Sequence, residues 1–405
     1  MKRLISILLV LAMLPALTSC ASVYSNYREM EELLVIRTMG LDAAEAGIVL
    51  SLASGADNER GKAPVRLRVT GASIASAFER AQNYSFEESL FFSHISSMLV
   101  GEDAAKRGVG EYVNYICQAP RIRMDIPIYI IKGSTAESLM AQTGDDDNGI
   151  AEILSGVREY LDDRGATAYS VSDLARETLR HGSALVGTLE YAPSIQQSTD
   201  DDDTSGSSNG NGNGSTNGTT PRATAAAAGY AVMQDMKLAA FIDLEDALGV
   251  DFIKNTVRVS DIVVPGRGGE TVTLEITDGG CDIVPRWASD GTLTRMDFRA
   301  HVSATVLEAG GRADLDSVDY AAYLTDQLED YVTEKISRVL SLSAKLGADF
   351  LALGSAAELS DPALYRLLPM QFDSYLGELE LRVAVKGQIS HSNDIRRSVQ
   401  QVVST

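Results

Sequence analysis

Cysteine is scarce in this chain, with three in 405 residues, at positions 20, 117 and 281. Cys117 and Cys281 fall in different proposed domains, so a disulfide framework is excluded and both are expected as free thiols. Histidine is scarcer than the chain length would suggest, with four residues, His94, His181, His301 and His391. None has a second histidine at metal-ligand spacing. Positive charge is in deficit, 35 Lys and Arg against 56 Asp and Glu, for a formal charge of -21. That balance argues against a nucleic-acid partner, because phosphate neutralisation needs clustered basic side chains. Long apolar runs are missing beyond the first twenty residues, so no later segment is expected to span a bilayer.

The one apolar run lies at the start, in MKRLISILLVLAMLPALTS. Lys2 and Arg3 precede a stretch from Leu4 to Leu17 that is too short for a mature transmembrane helix and suits a secretory leader, residues 1–19. Loss of Lys2 and Arg3 with that leader takes the formal charge from -21 to -23. Leu17-Thr18-Ser19-Cys20 then resembles a bacterial lipobox. In such a box the Cys20 sulfur takes a diacylglyceryl group. Cleavage leaves the residue as a new N-terminus, open to N-acylation by a fatty acid such as palmitate. Two or more acyl chains hold a soluble body on a membrane durably. Cys20 is therefore read as a lipid anchor on the extracytoplasmic face.

One break divides the rest. STDDDDTSGSSNGNGNGSTNGTT, residues 198–220, has no apolar side chain and cannot contribute to a core, so it reads as a disordered linker or loop. Before it, LLVIRTMGLD, GIVLSLASG and VRLRVTGA read as strands, the last leading into a helix around ASIASAFERAQ. SLFFSHISSMLV alternates, which puts Phe92, His94, Ser96, Met98 and Val100 on one face of a strand, and a helix through DAAKRGVGEYVNYICQ follows. IRMDIPIYIIKG is read as a further strand. Ile150, Ile153, Leu154, Val157 and Leu161 mark an amphipathic helix, VSDLARETLRHG a second, and SALVGTLEY a strand.

Beyond the linker a hairpin leads into a short helix, and TVTLEIT and CDIVPRW read as two strands. In RMDFRAHVSATVLEAG the residues Met296, Phe298, Ala300, Val302 and Val306 face inward, with Asp297, Arg299, His301 and Ser303 on the polar face. A helix from about Val318 to Lys345 carries Leu324, Leu328, Val332, Ile336, Val339 and Leu346 on one stripe. No repeated βαβ unit is visible. The expected class is α+β, multi-domain, with mixed or antiparallel sheets packed against helices. The expected divisions are an N-terminal α+β domain at 20–197, a middle α+β domain at 221–310, and a C-terminal α+β domain at 311–405.

The catalytic patterns fail on their context. Gly206-Ser207-Ser208-Asn209-Gly210 matches a hydrolase elbow but lies in low-complexity sequence, not between a strand and a helix. GADNERGKA has five residues between its glycines and alanine after Lys62, where a phosphate loop needs four and a hydroxyl. GDDDNGIAEIL and the DDDD run from Asp200 lack the ligand register of a calcium hand. His94 is read as a core histidine. No catalytic residue, metal ligand or cofactor site is assigned, and the chain is read as noncatalytic.

EELLVIRTMGLD after a lipidated cysteine, with Gly40-Leu41-Asp42 ending its strand, resembles the start of the Ger(x)C family, the C subunits of bacterial spore germinant receptors. SHISSMLVGEDAAKRGVGEYVNYICQAPRIRMDIPIYIIKGSTAESLM is similar to the family's second block, and AGYAVMQDMKLAAFIDLEDALGVDFI to its middle block. AKLGADFLALGSAAELSDPALYRLL followed by ELELRVAVKGQIS is similar to its last. The chain departs from the pattern where Ala21-Ser22 stand in place of a tryptophan, and around Met370-Gln371-Phe372 where another is replaced. The resemblance implies a three-domain, noncatalytic lipoprotein acting in spore germination and nutrient sensing. It would sit at the cell membrane, or at the spore inner membrane in a sporulating cell, with two integral-membrane receptor subunits as partners. The rival reading is a lipid-anchored solute-binding protein of a transporter, which requires a ligand cleft between two lobes.

Overall fold

The computed structural model describes residues 33–55, 65–85, 89–142, 149–163, 169–193, 223–310, 317–368 and 372–390. The leader, Cys20, the polar stretch at 198–220 and His391 lie outside them, as do the hydrolase-like and aspartate-rich runs and most of GADNERGKA.

The first sheet is built around four mutually parallel strands, β1 (Leu33–Ala43), β5 (Ser97–Gly101), β6 (Ile128–Ile131) and β7 (Ser183–Pro193). Strands β5 and β6 are buried at every residue, as expected where helices cover both faces of a parallel sheet. Antiparallel strands extend it on both sides. β2 (Ile48–Ser54) and β3 (Arg66–Gly71) add to β1, while β8 (Ala223–Gln234) and β9 (Lys237–Ile242) add to β7. On one face lie α1 (Ile74–Tyr84), α2 (Glu102–Arg107), α3 (Gly110–Gln118) and α6 (Val171–His181), over a core that includes Ile36, Leu41, Met98 and Ile130. On the other lie α4 (Ala136–Gln142) and α5 (Gly149–Asp163), over Leu99, Tyr129, Ile131 and Leu189. The predicted helix stripe appears as expected, with Ile150, Leu154, Val157 and Leu161 buried.

The second sheet runs β10 (Ser260–Pro265), β11 (Thr271–Trp287), β12 (Leu293–Ala309), β13 (Glu380–Ser390). Its first three strands are antiparallel and β13 is parallel to β12. The return from β12 to β13 passes through α8 (Val318–Leu346), about 43 Å long at 1.5 Å per residue, whose buried stripe includes Leu324, Leu328, Val332 and Ile336. Ser317 caps its start by accepting from Tyr320 N, and Gly347, left-handed at φ 58°, ends it. The short helices α9 (Leu353–Ser360), α10 (Pro362–Tyr365) and α11 (Phe372–Tyr375) complete the return. Between the two sheets sits α7 (Leu244–Lys254), buried at every residue from Ala247 to Ile253.

The class is mixed α+β, as expected. Several local readings differ. The stretch 89–100 is not one strand but β4 (Ser89–Phe91) and β5, both parallel to β1. Leu33 pairs with Ser89 and Thr38 with Ser97, so the register slips by three residues and the intervening loop bulges outward. His94 is in that loop and exposed, so it is not a core histidine. The helix expected through DAAKRGVGEYVNYICQ breaks into α2 and α3 at Gly108, whose φ of 122° no helix allows. TVTLEIT and CDIVPRW are one strand, β11, continuous through a bulge at Thr277. Two parallel crossovers, β5 to β6 and β6 to β7, are present although the sequence shows no repeated βαβ unit. Finally, residues 221–310 are shared between the sheets: β8 and β9 complete the first and β10 to β12 form most of the second.

Candidate functional site

The polar groups of interest gather where α7 and the end of α6 meet the second sheet's helices. α7 approaches α8 so closely that a Cβ on Gly249 would lie 2.4 Å from the Lys335 carbonyl oxygen. Beside that crossing the Lys335 side chain is 2% exposed, and its ammonium pairs with Glu245 and, at 3.2 Å, with Asp246. It also lies 5.0 Å from the centre of the Tyr331 ring. One turn further, Asp251 is 8% exposed and accepts a 2.8 Å hydrogen bond from the Tyr230 hydroxyl. Burial pushes its carboxyl up to about 7, against the hydrogen bonds from Tyr230 and Thr256. Burial, with the Asp251 charge nearby, likewise raises Tyr169, whose ring meets the Tyr230 ring edge-on at 6.0 Å. A cavity of about 390 Å³ opens here, with Asp251 in its wall.

A second cluster joins α6 to the segment after α8. His181 Nε2 is 3.2 Å from the Ser355 hydroxyl and 3.8 Å from Glu177, and its Nδ1 is 3.5 Å from Asp349. The order serine, histidine, aspartate is that of a hydrolytic triad, and the sequence gives no hint of it. The geometry does not make it one. Asp349 spends both oxygens on α9 backbone, accepting from Leu353 N at 2.6 Å and Gly354 N at 2.8 Å. A Cβ on Gly354 would lie 3.0 Å from the Tyr365 hydroxyl and 3.1 Å from the Phe372 ring, so α9 packs tightly against the short helices that follow it. The cluster is a polar tie between the two sheets' layers. Asp373, which accepts from Asp349 N at 3.2 Å, is raised to about 6 by burial and by the Asp349 charge. Burial lowers Lys254 at the same seam.

Other residues singled out in the sequence are dispersed. His301 is exposed on β12, 3.7 Å from Asp278 on β11. Cys117 is an exposed free thiol and Cys281 a buried one, its thiol pushed up to about 12 by burial. Among the described residues no three His, Cys, Asp or Glu side chains are placed to hold a metal ion. Nor is any described helix long and apolar enough to cross a membrane.

The blocks that carry the family resemblance have a structural explanation. Asp42, which ends Gly40-Leu41-Asp42, is 3% exposed and accepts from Ala136 N and Glu137 N, both at 2.8 Å, at the start of α4. A Cβ on Gly40 would press the Met140 sulfur at 2.8 Å, and one on Gly101 would overlap the Asp42 carboxylate at 2.0 Å. Asp349, from the last block, does the same work for α9. Both carboxylates dock a helix, Asp42 holding α4 to the end of β1 and Asp349 holding α9 to the segment after α8.

Residues 26–191 match the spore germination protein N-terminal domain, and residues 228–393 match the C-terminal domain described as spore germination B3/GerAC like. The crystal structure of the GerBC protein is similar in fold, with a TM-score of 0.55 at 11% identity over 87% of this chain and 96% of that one. No curated protein matches the chain. With most of its length matched by the two domains in order, the chain belongs to the Ger(x)C spore germination family, as a noncatalytic member with an α+β fold.

Proposed function

We propose that the chain is a lipid-anchored subunit of a spore germinant receptor, held through Cys20 on the extracytoplasmic face of the membrane and assembled with two integral-membrane subunits. In a spore that membrane is the inner one. The observation that carries the reading is the match to both germination domains directly behind a lipobox cysteine. An anchor fits the assembly physically, because confinement to one membrane raises effective concentration and lets modest contacts sustain a complex.

The test is crosslinking and affinity purification of the tagged chain from native membranes, with Cys20→Ala as control. The expected result is recovery of two polytopic proteins without ATPase domains. Cys20→Ala should move the chain from the membrane to the soluble fraction and reduce that recovery. Recovery of a permease with an ATPase would instead support the transporter reading and overturn this one. Unchanged membrane partition of Cys20→Ala would remove the anchor.

A further inference from the structure

Family membership does not account for the cavity at the seam. At about 390 Å³ it falls in the size range of small-molecule sites. Its walls come from both sheets' layers: α5 supplies Tyr160, β8 Tyr230, α7 Leu248 and Asp251, β10 Ile262 and α8 Tyr331. They are mostly apolar and aromatic, with three carboxyl groups and no lysine or arginine among the described residues of the lining. Asp251 is the deepest of those carboxyls. Its side-chain hydrogen-bond partners are hydroxyl groups, and among the described residues no lysine or arginine forms an ion pair with it.

We propose that this cavity is a binding site for a small organic cation, an ammonium group on an apolar body about the size of one ring, with Asp251 as its counter-ion. A buried carboxyl without a cation is costly to ionise, and an ammonium group supplies a charge that none of the described residues supplies. An anion is disfavoured by Asp251 and Asp261, while Glu245 is already paired with Lys335. A neutral ligand of the same shape would leave the carboxyl without its partner charge. Because the Asp251 carboxyl sits near 7, binding below neutral pH releases its proton, and affinity falls as the pH drops. The other ionisable groups facing it are Tyr169 and Tyr230, with Glu245, Asp261, Tyr160 and Tyr331 in the lining and Lys335 of α8 paired with Glu245 beside the Tyr331 ring.

The experiment is calorimetric titration of the purified full chain in detergent with 2-phenylethylammonium, against 2-phenylethanol as its uncharged counterpart. The ammonium compound should bind at millimolar concentration or below, and the alcohol roughly tenfold to hundredfold more weakly, the usual worth of a charged hydrogen bond. Asp251→Asn keeps an oxygen for the Tyr230 hydroxyl and should lose the discrimination. Ser260→Trp, at the β10 wall, should block both compounds without touching the carboxyl, and thermal melts of both variants establish that they fold. Absence of binding, equal binding of the two compounds, or unaltered discrimination in Asp251→Asn would each overturn the proposal. The site is independent of the receptor reading: its failure would leave the partners recovered from membranes unchanged.

Discussion

Asp373 is a half-buried carboxyl with Asp349 as its neighbour, and the two effects raise it to about 6 from the ordinary 3.8. In the unfolded chain it titrates near 4. Between those values the folded protein holds more proton than the unfolded one. The group therefore favours folding most below about pH 4, and that contribution is lost as the pH rises through about 6. Asp373→Asn keeps an oxygen for Asp349 N and removes the titration. The difference in urea midpoint between variant and wild type should thus move in the variant's favour from pH 4 to pH 6.5, then level off. A difference that stays constant across this range would show that Asp373 ionises normally. None of this is legible in the sequence, where Asp373 is one acidic residue among 56. The same holds for His181 and Ser355, 174 residues apart along the chain and brought together only by the tertiary fold.

Helix α7 lies within the molecule's layers and tolerates little change in its spacing. Gly249→Ala must push α7 off the α8 backbone, and overpacking of that kind costs about 1–3 kcal/mol. Gly156, exposed on α5 with nothing within 4 Å of its missing Cβ, provides the contrast. There alanine should stabilise by about 0.5–1 kcal/mol through helix propensity alone. Urea denaturation of the two variants should therefore shift in opposite directions, and a neutral Gly249→Ala would mean that the α7–α8 crossing yields. Element identity was readable where periodicity ran long, as in β12 and the α8 stripe. It was not readable at 89–100, because Met98 and Val100 continue an alternation that the loop at His94 interrupts. In α7 the sequence LEDALGVDFI shows an acid inside an apolar run, yet the burial of Asp251 depends on two sheets that the run does not encode. The cavity was illegible for the same reason.

At the scale of the whole chain, β7 and β8 lie on opposite sides of the polar stretch at 198–220 yet pair along ten registered positions. Both also contribute buried residues, such as Val186 and Met233, to the same core. A protease site placed within 198–220 and cut in the folded protein should leave the two fragments eluting together from a sizing column, separating only in denaturant. Separation in buffer would favour an N-terminal domain that ends at 197 and stands alone. This pairing was hidden because composition marks where a chain is polar and says nothing of which strands meet across the gap. The strand order also sets a timetable for biogenesis. The first sheet is complete once β9 has been made, whereas the second waits for β13 to return beside β12. The roughly 150 residues between them take on the order of 10 s to synthesise. Until β11 and α8 have been made, Phe252 and its neighbours on α7 lack their covering layer. A chain truncated just past residue 254 should therefore expose that apolar face and aggregate at concentrations where the full chain stays in solution.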